Sequence, residues 1–486
     1  MFESTKAILP ELILIVTTFY LTLRSASGRA KRQSLFIEAM VGGVTALVFL
    51  LLFSERYFGF KAFYSLLEMD KTAFFFRVLF VALALLVIVM TAKSKEVSDY
   101  LFGEYLVLIF SITAGMCFLA GSIDLLMIYF SLEWISLSSY LLTGFIAYKR
   151  SASEASMKYT LFGGIASAVM LFGISWLFGL TGTLKLDELP TAYLATQNVM
   201  LTFSLVLILV GFAFKVAAVP LHFWAPDVYQ AAPTPVTTLF AIGPKAAGFV
   251  ILIRVFYYSF FGTEEAAAIM EPLRANLEVI FSFLAAITMT AGNLLAMRQE
   301  NIKRMLAYSS ISHAGYLLMG MAAMSDSGTG AMLYYIFVYL LMNGGAFFVV
   351  NLIVNRWGSE KISDYEGMGW RGGSHSLVAL TFSIFLFSLA GLPPFAGFIG
   401  KWFIFAAAVE KHMYLLVMIG LVNVVIGLYY YARILKAMYL SENRLEQVPL
   451  KLKLNEGFIV GALSLSILYF GIFFSPFMGY LRTMIP

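Results

Sequence analysis

Apolar residues run along this chain in long blocks, and the polar residues gather in short patches between them. The blocks fall near 7–23, 36–53, 73–92, 105–121, 123–147, 157–181, 199–236, 235–258, 276–297, 304–323, 329–354, 375–410, 412–440 and 456–480. A helix needs roughly 20 apolar residues to cross the hydrocarbon core of a bilayer. The pattern therefore predicts an all-α membrane protein with 14 transmembrane helices. Two blocks, 199–236 and 375–410, are too long for one crossing and are interrupted in their middles. The first is broken by Val219-Pro220-Leu221-His222 and Pro226, the second by Gly391-Leu392-Pro393-Pro394 and Gly397. Proline removes a backbone donor and clashes with the preceding turn, so a break inside the bilayer persists only where protein or water satisfies the freed carbonyls.

The fourth to eighth helices and the ninth to thirteenth form two sets of five, with the broken helix fourth in each. Five is odd, so the second set enters the membrane from the opposite face, giving two inverted five-helix repeats. Paired interrupted helices in inverted halves point to a transport site. The expected units are 1–98 (first three helices), 99–262 (first repeat), 263–441 (second repeat) and 442–486 (last helix).

Composition agrees with this pattern: of 486 residues 60% are apolar and 13% charged, about half the charged fraction of a soluble domain. The loops after odd-numbered helices hold twenty lysines and arginines, among them Arg29, Lys93, Lys158, Arg298, Lys303, Arg304, Arg433, Lys436 and Arg444, and the opposite loops hold eight. Cytoplasmic loops carry the basic excess, so both termini are expected to face outward. The net charge of +5 then belongs to the inner loops and not to nucleic-acid binding. Residues 1–10 show no cleavable signal pattern, so the first block is expected to stay as a span. The single cysteine, Cys117, can supply neither the four ligands of an iron–sulfur cluster nor an internal disulfide. The four histidines are dispersed, so no metal or cofactor is expected in this chain. Gly328-Thr329-Gly330 and Gly372-Gly373 lack the strand–helix context of a phosphate loop, and the loop 441–456 reads as a solvated connection.

Five basic residues remain inside the spans: Arg77, Lys215, Lys245, Arg254 and Lys401. Arg77 and Arg254 lie near helix ends and are expected to snorkel to an interface. Lys215 lies five residues before Pro220, Lys245 follows Gly243-Pro244, and Lys401 lies seven residues after Pro394. Burial disfavours an ammonium, so each lysine is a candidate carrier that releases and regains a proton; otherwise it is a fixed cation bonded to the freed carbonyls. Glu133 and His313 each fall about ten residues into their spans, roughly 15 Å deep at 1.5 Å per residue. Glu133 is a candidate partner of Lys215, or else a protonated acid bonded to Ser136 or a backbone carbonyl; His313 is a candidate relay towards Lys401, or else a neutral histidine satisfied by neighbouring serines. His222 and Asp227, at the first break, are candidates to hydrate or cap the second half-helix.

The run Phe214-Lys215-Val216-Ala217-Ala218-Val219-Pro220-Leu221-His222-Phe223-Trp224-Ala225-Pro226-Asp227-Val228-Tyr229-Gln230, continuing to Val236, resembles the signature of the antiporter-like membrane subunits of respiratory complex I. Asn301 to His313 and Gly391 to Lys401 extend the resemblance. Pro226 to Gln230, with lysine in place of glutamate at 401, argue against the branch called subunit M. The length leaves no room for the lateral helix of subunit L. The resemblance implies that Glu133 and Lys215 are a buried pair, Lys245 a connecting lysine and Lys401 the terminal lysine of a proton channel. It further implies a subunit of a proton-translocating NADH:quinone oxidoreductase in a bacterial inner membrane. Its partners would be an antiporter-like subunit M, small membrane subunits, the lipid bilayer and a peripheral arm carrying the flavin and iron–sulfur clusters. The alternatives are a subunit of a cation/proton antiporter or membrane-bound hydrogenase-type complex, and a purely structural scaffold.

Overall fold

The computed structural model describes residues 2–28, 30–146, 149–196, 199–261, 271–441 and 450–485. Arg29, Arg444, residues 442–449 of the last loop, both terminal residues and the expected boundary at 262 lie outside them. The long helices are α1 (Leu9–Ala26), α2 (Arg32–Phe53), α3 (Lys71–Thr91), α4 (Phe102–Gly121), α5 (Leu125–Thr143), α6 (Arg150–Thr181), α7 (Val199–Lys215) and α8 (Trp224–Ala231). They continue with α9 (Thr234–Leu252), α10 (Glu271–Ala296), α11 (Ile302–Ala322), α12 (Asp326–Trp357), α13 (Gly373–Ala390), α14 (Ala396–Glu410), α15 (Tyr414–Leu440), α16 (Leu454–Ile472) and α17 (Phe474–Arg482). A two-stranded hairpin, Phe60–Ala62 with Leu67–Met69, joins α2 to α3.

Among the described residues, 12 helices are long and apolar enough to cross a membrane. Two of the expected spans are not in that set, and both hold candidate site residues. One is the α7–α8 segment, whose first half has only 17 residues. The other is α11, where Ser309, Ser310, Ser312, His313 and two tyrosines dilute the apolar run. Both interrupted blocks are split where the prolines predict, α7 from α8 across 216–223 and α13 from α14 across 391–395.

α9 is the axis of the molecule: it is buried along its whole length and packs on α3, α4, α11 and α12. α12 is nearly as buried and carries α13, α14 and α16. The peripheral helices α2, α6, α15 and α16 keep apolar faces exposed, with Leu52, Ile165, Val425 and Leu465 all more than 60% accessible, as lipid or a neighbouring subunit requires.

The expectation that Arg77 and Arg254 snorkel is overturned. Arg77 is 2% exposed and holds Glu11 of α1 through both carboxylate oxygens, each at 2.5 Å. Arg254 is 3% exposed; it donates to the Ala120 carbonyl at 2.7 Å and pairs with Asp70, the N-cap of α3, at 2.7 Å. A buried guanidinium is retained when its charge is paired and its donors are occupied. Both partners come from distant segments, so helix-end position alone misjudges these arginines.

Candidate proton pathway

Lys215 is the last residue of α7 because the backbone turns there. Ala217 takes a positive φ of 57°, and the Val219-Pro220 bond that follows is cis. The freed groups find protein partners. Trp224 Nε1 donates to the Phe214 carbonyl at 3.1 Å, and the Val219 amide donates to Thr288 Oγ1 of α10 at 3.0 Å. Lys215 Nζ does not reach Glu133; it donates to Ser136 Oγ at 3.0 Å, one turn along α5 from that carboxylate. Glu133 is half-buried and accepts a hydrogen bond from Ser167 on α6. The structure thus brings Lys215 and Glu133 to adjacent turns of one helix face without direct contact.

Lys245 follows Pro244 inside α9 and is 4% exposed. Its Nζ donates to Ser310 Oγ of α11 at 2.5 Å and lies 5.6 Å from the Tyr229 ring centroid. Gly248, one turn on, lets the α7 end approach: a Cβ there would stand 2.6 Å from Val216 and 3.6 Å from the Lys215 Cβ. A cavity of about 10 Å³, space for about one water, lies among Lys245, Ser310, His313 and Tyr339. His313, one turn beyond Ser310, bonds through both ring nitrogens, Nδ1 with the Tyr335 hydroxyl at 2.5 Å and Nε2 with the Tyr431 hydroxyl at 3.1 Å. In the neutral ring one of these nitrogens donates and the other accepts.

Lys401 belongs to α14 but serves the end of α13. Its Nζ donates to the carbonyls of Leu389 and Ala390 at 2.9 and 3.0 Å and lies 4.9 Å from the Tyr316 ring centroid. A cation suits a helix C-terminus, where carbonyls lack intrahelical donors. Gly391 makes room for it, with φ +87° and space in which a Cβ would lie 2.9 Å from Lys401 Cδ. His313 does not touch Lys401. Tyr335 joins the two regions, bonding His313 while its ring packs against Gly400. Among the described residues, none of Lys215, Lys245 and Lys401 has a carboxylate within ion-pair distance.

His222 and Asp227 do not cap α8. His222 Nδ1 lies 3.3 Å from the Pro220 carbonyl. Asp227 pairs with Lys158 of α6 at 2.9 Å and Arg304 of α11 at 2.6 Å. Asp227 and Lys158 border a cavity of about 320 Å³ with Lys149, Glu154, Gln230 and Glu360. Sequence reasoning missed Ser167, Tyr335 and Tyr431, and it set Ser136 beside Glu133 and Ser310 beside His313 where the structure bonds them to Lys215 and Lys245. For Ser136 and Ser310 the available signal was the run of hydroxyl residues on α5 and α11; Ser167, Tyr335 and Tyr431 lie on apolar helices and carry no such signal. Among the described residues no group of three or more histidine, cysteine, aspartate and glutamate side chains is placed to hold a metal ion.

Two interrupted membrane helices, with Lys215 and Lys401 buried beside the breaks, are the arrangement in which transporter folds place their sites. Residues 122–427 match the family described as NADH:quinone oxidoreductase/Mrp antiporter, TM. NADH-quinone oxidoreductase subunit N of Anaeromyxobacter sp. (strain Fw109-5) is 43% identical over 434 residues, 85% of this chain and 83% of that protein. The subunit N of Chlorobium chlorochromatii (strain CaD3) is 37% identical over 491 residues, 99% and 94% of the two chains. A chain of respiratory complex I from Thermus thermophilus with bound aureothin superposes with a TM-score of 0.80 at 29% identity, covering 97% of this chain and 99% of that one. The chain belongs to the antiporter-like membrane subunits of NADH:quinone oxidoreductase, and within them to the subunit N type.

Proposed function

We propose that this chain is a proton-pumping membrane subunit of an NADH:quinone oxidoreductase in a bacterial inner membrane, driven by quinone reduction elsewhere in the complex. The electron carriers, flavin and iron–sulfur clusters, belong to partner subunits, and the neighbours in the membrane are a subunit M and small membrane subunits. Counting α7–α8 and α13–α14 as one crossing each and adding α11 gives 14 crossings. They are grouped as three (1–98), two inverted sets of five (99–262 and 263–441) and one (442–486). Two broken helices at matching places in the two sets of five support this reading.

The pathway runs from Glu133 and Lys215 through Lys245 and His313 to Lys401. With Glu133 ionised, its field favours the ammonium of Lys215 across the Ser136 turn. A charge change in a neighbouring subunit that draws Glu133 away removes that support, and Lys215 gives up a proton. The proton passes by Ser136 and water to Lys245, whose ammonium releases one to Ser310 and the adjoining cavity. His313, held between two tyrosine hydroxyls, hands a proton on towards Lys401. Lys401 then releases its proton outward and falls back on the α13 carbonyls in the next cycle.

The observation that carries this reading is the set of three buried lysines without an ion-pair partner, since charge without compensation is rarely kept in a membrane interior unless it works there. Lys245→Ala tests the middle of the path, in intact complex reconstituted into vesicles. Quinone-coupled proton uptake should fall roughly a hundredfold or more, the scale of a positioned proton carrier, with subunit content unchanged. Normal uptake would remove Lys245 from the path.

A further inference from the structure

The proton path leaves unused a groove on the outer surface of the bundle between α13 and α15. It has a volume of about 880 Å³ and is lined by Leu380, Phe387, Tyr429 and Leu435, with Arg433, Lys436 and Tyr439 at one end. The volume lies within the roughly 300–1,000 Å³ of ligand pockets. The walls are open to the membrane: Leu380 is 55% and Tyr429 58% exposed. The basic end is the C-terminal end of α15, on the side to which the lysine and arginine excess assigns the cytoplasm.

That end carries charge that the described residues leave uncompensated. Lys436 is exposed and has no ion pair or side-chain hydrogen bond among them. Arg433 donates to the carbonyls of Met297, at 2.8 Å, and Gln299, which occupies its N–H groups without neutralising its charge. Arg298, exposed beside those carbonyls, adds a third cation. Trp370, 77% exposed, donates to the Tyr439 carbonyl at 2.6 Å and sets its ring edge-on to Tyr439, the aromatic pairing found at headgroup depth.

We infer that the α13–α15 groove binds an anionic phospholipid of the inner leaflet, its acyl chain along Leu380, Phe387 and Leu435 and its phosphate at Lys436 and Arg433. Apolar walls ending in cations at the cytoplasmic surface fit an amphiphile with an anionic head. A protein neighbour would have to bring carboxylates to the same depth.

The test uses the assembled complex in native membranes. A benzophenone amino acid replacing Leu380 should, on illumination, form an adduct with the mass of a phospholipid. An adduct with another subunit, or no lipid adduct at all, would overturn the assignment. In parallel, wild-type complex and an Arg433→Gln/Lys436→Gln variant are exchanged in detergent against an equal mixture of phosphatidylglycerol and phosphatidylcholine, and retained lipid is weighed by native mass spectrometry. Removing two surface cations should lower phosphatidylglycerol retention roughly thirtyfold and leave phosphatidylcholine unchanged. Equal phosphatidylglycerol retention by the two complexes would contradict the proposal.

Discussion

Arg77 and Glu11 depend on each other for their place in the bilayer interior. Each is 2% exposed, and truncating one would strand the other as an unpaired buried charge at a cost of about 3–5 kcal/mol. Arg77→Ala should therefore lower the amount of this subunit in purified complex and its thermal midpoint, and Arg77→Met/Glu11→Leu should regain most of the loss. A single Arg77→Ala complex that melts like wild type would contradict this. The pair was illegible in the sequence because its members stand 66 residues apart, and no helical period links α1 to α3. The three buried lysines were legible for the opposite reason: each is near a proline in its own segment. The carbonyls freed at the second break were legible as a partner for Lys401, whereas Ser136 and Ser310, which hold Lys215 and Lys245, come from other helices that no local pattern links to them.

At the scale of elements, the two breaks carry the design, and each ends a helix with a different device. Trp224 and Thr288 supply donors and acceptors to the first; Lys401, Ser388 and Gly391 close the second. Gly391→Ala places a side chain at φ +87° and against the Lys401 stem, so it should cost about 1 kcal/mol or more. It should also push Nζ off the Leu389 and Ala390 carbonyls. The expected readout is a lower thermal midpoint together with reduced proton uptake per quinone reduced. Unchanged coupling would mean that the Lys401 position does not matter. Prolines and glycines made both breaks readable along the chain. The α11 helix was also readable as a block, yet its hydroxyl content shows that it owes its place to buried polar partners and not to lipid.

For the whole molecule, the basic asymmetry predicts sidedness. Cys117 is buried, so single cysteines can be introduced on a silent background. Ser65→Cys, at the hairpin tip, should react with a membrane-impermeant maleimide from the periplasmic side only, and Lys361→Cys, at the start of the loop after α12, only from the cytoplasmic side. The reverse labelling would invert the pathway, with Lys401 no longer serving the outer exit. The proposed proton route stands or falls with the buried lysines. The most direct measurement is NADH-driven proton uptake, per NADH oxidised, by inverted membrane vesicles carrying Lys215→Ala complex, with subunit content checked by blot. Uptake should be cut roughly a hundredfold or more in a complex that still assembles. Lys215→Arg should be nearly as deficient, because a guanidinium keeps the proton that an ammonium can release. Wild-type uptake in the Lys215→Ala vesicles would make this lysine a structural cation and contradict the account.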